Sequence, residues 1–154
     1  MCREAGITIV IESEPTTNSS SMAEIAELIE VIDSPTVRAL YDPGNNIYST
    51  SEVPYPDGFQ KIRPYLSHVH VKDAVKEGTE AVGEGLVDYV GIFTELKNIG
   101  YDGEVMLETH YRPKESAALS SATLANPKGS AISDGGYTAS AECMEKLKRI
   151  IASV

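Results

Sequence analysis

Four short apolar runs in this chain each lead into a side chain that can hold a cation or move a proton. Ile7-Thr8-Ile9-Val10-Ile11 leads into Glu12, Val37-Arg38-Ala39-Leu40-Tyr41 into Asp42, and Glu104-Val105-Met106-Leu107 into Glu108. The fourth, Ser67-His68-Val69-His70-Val71-Lys72-Asp73, sets two histidines, a lysine and an aspartate along one β-branched stretch. On an extended chain alternate residues share a face, so His68, His70 and Lys72 point one way while Val69, Val71 and Asp73 point the other. Singly, a glutamate that ends a strand is an ordinary solvated residue, and His70 is a plain core histidine. Brought together, Glu12, Asp42, His70 and Glu108 would make a metal site.

The elements that must position these groups follow from the intervening sequence. Met1 to Gly6 reads as the last turn of a helix stopped by glycine. Ser21 with Glu24 forms a capping box, and Met22, Ile25, Ile29 and Ile32 give a helical period up to Asp33, with Pro35 ending the helix. Asp42-Pro43-Gly44-Asn45-Asn46 has the composition of a turn, and Ile47 to Pro56 that of a loop on the active-site side. Asp57 is expected to cap a short helix carrying Phe59, Ile62 and Leu66. A polar loop after Asp73 ends in Gly83-Glu84-Gly85, read as a turn that lets backbones approach closely, not as a phosphate cradle. Asp88 caps a helix with Val90, Phe93 and Leu96, closed by Gly100. Thr109 to Tyr137 reads as a long loop, long enough for a lid, and Ala139 to Ala152 as a final amphipathic helix.

Strand and helix thus alternate four times with no hairpin expected. Glu12, Asp42, His70 and Glu108 are spaced near the roughly 30 residues of a βαβ unit. Parallel strands follow, and right-handed crossovers put all their C-terminal ends on one side. That is how four residues far apart in sequence converge. Four such units amount to half of a (β/α)8 barrel, which typically needs about 250 residues. Near-continuous apolar strands imply a sheet covered on both faces.

Composition excludes several classes. With 154 residues, 42% of them hydrophobic and 23% charged, the chain has apolar mass for one domain with one core. The net charge of −10 repels nucleic-acid phosphates, so nucleic acid is not an expected partner. No apolar run approaches the roughly 20 residues of a membrane span, and the N-terminus lacks a basic region followed by an apolar one, so no membrane is expected and the cytoplasm is the default location. Cys2 and Cys143 share no metal-type spacing and have no histidine neighbour, so both are expected as free thiols without a nucleophilic role. No nucleotide-binding fingerprint is present.

The motifs resemble a family. Ile-Glu-Ser-Glu-Pro at 11–15, Tyr-Asp-Pro-Gly-Asn at 41–45, His-Val-His-Val-Lys-Asp at 68–73, Gly-Glu-Gly-Leu-Val-Asp at 83–88, Gly-Tyr-Asp-Gly at 100–103 and Leu-Glu-Thr-His at 107–110 are similar, in order, to the C-terminal half of the xylose isomerase-like TIM barrels. That superfamily includes sugar epimerases, hydroxypyruvate isomerases, inosose dehydratases and endonuclease IV repair enzymes. The resemblance implies an α/β fold, the parallel (βα)4 half of a TIM (β/α)8 barrel comprising strands five to eight, filling residues 1–154. Strands one to four have no counterpart here. It also implies that Glu12, Asp42, His70 and Glu108 are ligands of a divalent metal ion. Three carboxylates and an imidazole suit Mn²⁺, the expected ion, and also Mg²⁺, Co²⁺ or Zn²⁺.

By the same resemblance Glu12 and Glu108 serve as acid and base on opposite faces of a sugar or polyol. A proton beside a carbonyl is very weakly acidic, so metal and carboxylate must act together. The expected function is a metal-dependent isomerase or epimerase acting through an enediolate. An inosose-type dehydratase is the alternative, followed by a half-barrel fragment that binds without turnover. Endonuclease activity ranks last, because multi-zinc repair enzymes need more than the three histidines present. Around the ligands, Asn45, His68, Lys72, His110 and Arg112 are candidates for substrate contacts. Their bland readings are a packed histidine for His68, a Lys72–Asp73 ion pair at a strand end, and exposed loop polarity for His110 and Arg112. Glu14 is expected only to line the site. A lone half-barrel leaves two apolar strand edges unpaired, so a homo-oligomer or pairing with an N-terminal half is expected.

Overall fold

A computed structural model describes residues 2–14, 17, 19–111 and 132–154. All four acid- or imidazole-bearing runs become strands: β1 (Ile9–Glu12), β2 (Val37–Tyr41), β3 (Leu66–Val71) and, late in the chain, Glu104–Leu107, the sixth strand. These four form one sheet in the order β1-β2-β3-β6 with every pairing parallel. Register aligns Glu12 with Leu40, Leu40 with His68 and His70 with Met106, so the four strands end together. The expected α/β fold with a parallel sheet is what the chain forms.

Helices supply the crossovers. The turn α1 (Cys2–Ala5) stops at Gly6, whose φ of 65° is the left-handed conformation glycine adopts without cost. Helix α2 (Met22–Ile32) begins with the expected capping box, Ser21 accepting from Glu24 N while the Glu24 carboxylate accepts from Ser21 N. Met22, Ile25 and Ile29 bury one face, whereas Ile32 stays exposed. The helix ends at Asp33 as expected, where the backbone turns left-handed at φ 46° and the Asp33 N–H closes on Ile29 O, two residues before the proline.

Several elements differ from expectation. Asp42 to Asn46 is not a free turn but the start of α3 (Pro43–Ser49), with Asp42 as N-cap and Pro43 at the first position, where its missing N–H costs nothing. Asp57 does not cap α4 (Phe59–Ile62), which lacks a side-chain cap; it lies inside the wide turn Pro54–Gly58. Leu66 already belongs to β3. After Asp73 the chain forms a hairpin, β4 (Asp73–Val75) with β5 (Gly78–Glu80), in place of the polar loop. Helix α5 (Tyr89–Asn98) starts at Asp88, which accepts from Gly91 N, and ends before Gly100 at φ 65°. The last helix, α6 (Ile132–Ala152), begins earlier than expected, inside the span Thr109–Tyr137 read as a loop; residues 109–111 of that span are irregular, and 112–131 lie outside the described residues.

The core lies between one face of the sheet and the helices. Val37, Ala39, Tyr41, Val69 and Val71 alternate along β2 and β3 and meet Ile25, Ile29, Phe59, Ile62, Ile92, Phe93 and Leu147. Tyr41 and Phe59 pack edge to face with ring centroids 5.4 Å apart, and full burial of a side chain such as Phe59 stabilises by roughly 2–3 kcal/mol. The other face is not covered as expected. There, alternate residues Val10, His68, His70 and Met106 accompany the acids, and Val10 and Met106 remain exposed. The polar row shares this face with Val10, Leu40 and Met106, of which Leu40 is buried.

Candidate metal centre

Strand ends bring Glu12, Asp42, His70 and Glu108 together, with one ligand atom from each lying within 4.8 Å of all the others. His70 Nδ1 is at the middle, 3.3 Å from Glu12 Oε1 and 3.5 Å from both Asp42 Oδ2 and Glu108 Oε2. Spacings of this size are what ligands around one ion of roughly 2.0–2.3 Å bond length require. Asp42 Oδ2 adds an independent sign. It is buried and left without a hydrogen bond of good geometry, with the Lys72 ammonium 3.1 Å and His70 Nδ1 3.5 Å away. A buried carboxylate oxygen is costly unless something positive completes it, and a divalent cation fits that need.

The acids are held, not merely gathered. Asp42 uses Oδ1 to cap α3 at Asn45 N, 2.9 Å, which leaves Oδ2 to face the cluster. Asn45, expected to meet a substrate hydroxyl, is buried, and its amide donates to Ser13 O at 2.7 Å and Glu12 Oε1 at 3.2 Å. Its carbonyl oxygen accepts from Tyr48 Oη at 2.5 Å. Ser13 Oγ in turn donates to Asp42 O at 3.2 Å. Asn45 therefore orients one glutamate and ties β1 to β2. Gly44 matters for a different reason: a Cβ there would lie 2.2 Å from Lys72 O, so only glycine lets α3 approach β3.

Lys72 does not pair with its neighbour Asp73. Its ammonium, only 2% exposed, contacts Glu108 Oε2 and Asp42 Oδ2. Asp73 turns away, and its carboxylate accepts from the backbone N–H groups of Ala74, Gly83, Gly85 and Val87 at 2.8–3.2 Å. The glycine turn is thus the close approach read from the sequence, made to Asp73: a Cβ on Gly85 would sit 2.1 Å from Asp73 Oδ1. His68 packs edge-on against His70, centroids 5.4 Å apart, and lies 3.5 Å from Glu104. His110 is half exposed beside Glu108, Nε2 to Oε1 3.6 Å. Arg112 lies outside the described residues. Ser13, Gly44, Tyr48 and Tyr89, whose hydroxyl donates to Lys72 O at 2.8 Å, were not legible as site residues.

Electrostatics follow from the arrangement. Hydrogen bonds with Asp42 and Glu12 push His70 up to about 9, against the opposing effect of burial. The same bond with His70 holds Glu12 below the ordinary carboxylate range. Burial acts to lower the Lys72 pKa, but Asp42 and Glu108 more than reverse it, so the lysine is a cation. Three carboxylates are therefore met by two positive groups, a site built around a requirement for positive charge. Among the described residues no helix is long and apolar enough to cross a membrane.

Comparison with known proteins agrees with this layout. The model of the family described as xylose isomerase-like TIM barrel matches residues 1–135. An inosose dehydratase of Bacillus thuringiensis (strain Al Hakam) is 30% identical over 132 residues, which cover 73% of this chain and 44% of that protein. The chain thus spans less than half the length of the curated relatives it matches. Among solved structures, an L-ribulose 3-epimerase superposes with a TM-score of 0.68 at 16% identity, covering 98% of this chain and 49% of the other. A xylose isomerase-like TIM barrel protein from Mycobacterium smegmatis, in complex with magnesium, gives 0.64 at 18% identity, covering 97% and 46%. At such identities the structural likeness speaks for the fold alone.

Proposed function

The chain belongs to the xylose isomerase-like TIM barrel family, and we propose that it supplies strands five to eight of such a barrel and performs metal-assisted proton transfer beside the carbonyl of a sugar or polyol. The observation that carries this reading is the convergence of Glu12, Asp42, His70 and Glu108 on one point at the ends of four parallel strands. These four residues would hold one divalent ion, manganese before magnesium, cobalt or zinc. Bound there, the ion would polarise the carbonyl and acidify the adjacent C–H.

The protein's own groups do the rest. Glu12, steadied by Asn45 and kept ionised by His70, takes the proton from one face. Glu108, flanked by Lys72 and His110, gives a proton of its own from the other face, which inverts or relocates the carbon centre and leaves Glu12 protonated and Glu108 ionised until both exchange with solvent. Asp42 and His70 act as fixed ligands, with His68 packed against His70 to hold its ring. His110 and Arg112, just past the last strand in sequence, are assigned to substrate hydroxyls, and Lys72 to a substrate oxygen. Isomerase or epimerase activity is the outcome when the proton returns to carbon. Dehydration is the second reading, favoured by the 30% identity to inosose dehydratases: the same abstraction then expels a β-hydroxyl.

The exposed edge strands supply the reading of assembly. Ile7, Ile9 and Val10 at the β1 edge, and Val105 and Met106 at the β6 edge, are at least 39% exposed. Closing these edges against a second copy or an N-terminal (βα)4 half would bury them. A cytoplasmic setting suits a sugar or polyol substrate. The test is a panel of ketoses and inososes offered to manganese-loaded protein in deuterated water. Deuterium entering beside the carbonyl without loss of water identifies the isomerase; loss of water identifies the dehydratase. Turnover with neither exchange nor water loss would refute proton transfer, and inactivity of the metal-loaded protein on both panels would favour a half-barrel that binds without turnover.

A further inference from the structure

Lys72 is placed with more care than a strand-end lysine needs. Its carbonyl is held by the Tyr89 hydroxyl at 2.8 Å and backed by Gly44, where any Cβ would collide with it. The next residue, Asp73, is fixed by four backbone N–H groups. Anchored at its base and only 2% exposed at its side chain, the lysine reaches Asp42 Oδ2 at 3.1 Å and Glu108 Oε2. Asp42 Oδ2 is the same buried oxygen that belongs to the four-residue cluster. One oxygen thus faces two claimants.

We propose that Lys72 is a built-in counter-cation of the metal centre: it completes Asp42 when no ion is bound, yields that oxygen to an arriving divalent ion, and so sets the affinity of the site. The inference rests on the metal reading above. Three carboxylates around one point, Asp42 fully buried and Glu12 and Glu108 partly so, need positive charge in every state, because charges removed from water are tolerated only when paired. Lys72 meets that need without an ion. With an ion, like charges a few ångströms apart in a poorly screened setting repel, so the lysine weakens binding. The contact with Glu108 gives the ammonium a second carboxylate to keep.

Removing the charge should therefore act in opposite directions on two quantities. Lys72→Met should bind manganese at least tenfold more tightly than wild type, while its chelated form unfolds at lower temperature. A residue that only packs, or that helps hold the ion, would lower both. Calorimetric titration with manganese alone and thermal unfolding in chelator read the two quantities, with Lys72→Arg, which keeps the charge, expected within about threefold of wild-type affinity. If the chelated Met variant does not fold, the rate of manganese release to chelator replaces the titration, using protein produced with manganese; release is expected at least tenfold slower than from wild type. Equal or weaker binding, or equal or faster release, by Lys72→Met overturns the inference while leaving the metal site standing. Absence of manganese binding by wild type overturns the metal reading itself.

Discussion

Asp73 is the residue whose replacement probes most sharply how the site is held. Its carboxylate is buried and accepts four backbone N–H groups, Ala74 and Val87 on Oδ1 and Gly83 and Gly85 on Oδ2. Asp73→Asn changes almost no volume but must turn an NH₂ group toward one of these pairs of donors. Whichever way the amide faces, two N–H groups lose a charged acceptor and meet a donor instead. Each hydrogen bond to a charged group contributes about 1.5–3 kcal/mol, and partial relaxation of the glycine turn reduces the sum. The expected destabilisation is roughly 3 kcal/mol, or about 6–12 °C in Tm for a chain of this length. Urea unfolding followed by circular dichroism, with unchanged slope, measures it. A loss below about 1 kcal/mol would refute the claim that this nest fixes the Lys72–Asp73 corner.

Other expectations follow from the same contacts. Glu12→Gln and Glu108→Gln should each reduce kcat by about 10²-fold or more with a much smaller change in KM, read by steady-state kinetics on whichever substrate proves active. Gly44→Ala should destabilise strongly, because its Cβ would meet Lys72 O at 2.2 Å and both partners are backbone; a fold as stable as wild type would show that the approach is not obligatory. His70, pushed up to about 9 by Asp42 and Glu12, should stabilise the chelated protein by roughly 3 kcal/mol at most. That contribution is fully present below about pH 6.5 and lost as pH rises through about 9, so Tm in chelator should fall across that window and a flat profile would contradict it. Sedimentation at micromolar concentration should show association through the open strand edges; a cooperative monomer that binds no hydrophobic dye would argue against the half-barrel reading.

What could be read from the chain was local or periodic. The Ser21–Glu24 box and the Asp88 cap each join residues three apart, so their chemistry is written in neighbouring letters. The four cluster residues were legible because parallel strands with right-handed crossovers send their ends to one side whatever the loops do. Asn45 was legible as a site candidate but not in its hold on Glu12 and Ser13, which lie 33 and 32 residues away and which only the folded sheet aligns with it. Lys72 and Asp73 look like a pair in sequence, yet pleating turns them to opposite faces, one to the carboxylates and one to the backbone amides. The hairpin after Asp73 carried a faint sign in Val75 and Thr79 around Lys76-Glu77-Gly78, outweighed by the polar composition. Gly135 and Gly136 argued against a helix that nevertheless includes them, since propensity is a weak guide at single positions.

The central claim is that Glu12, Asp42, His70 and Glu108 share one divalent cation. Crystals soaked in manganese, measured at the manganese absorption edge, locate the ion directly in an anomalous difference map. The account predicts one dominant peak in the cluster, within roughly 2–2.5 Å of a ligand atom from each of the four residues, and its loss in His70→Ala. A peak elsewhere, or none at these residues in folded protein, would contradict it.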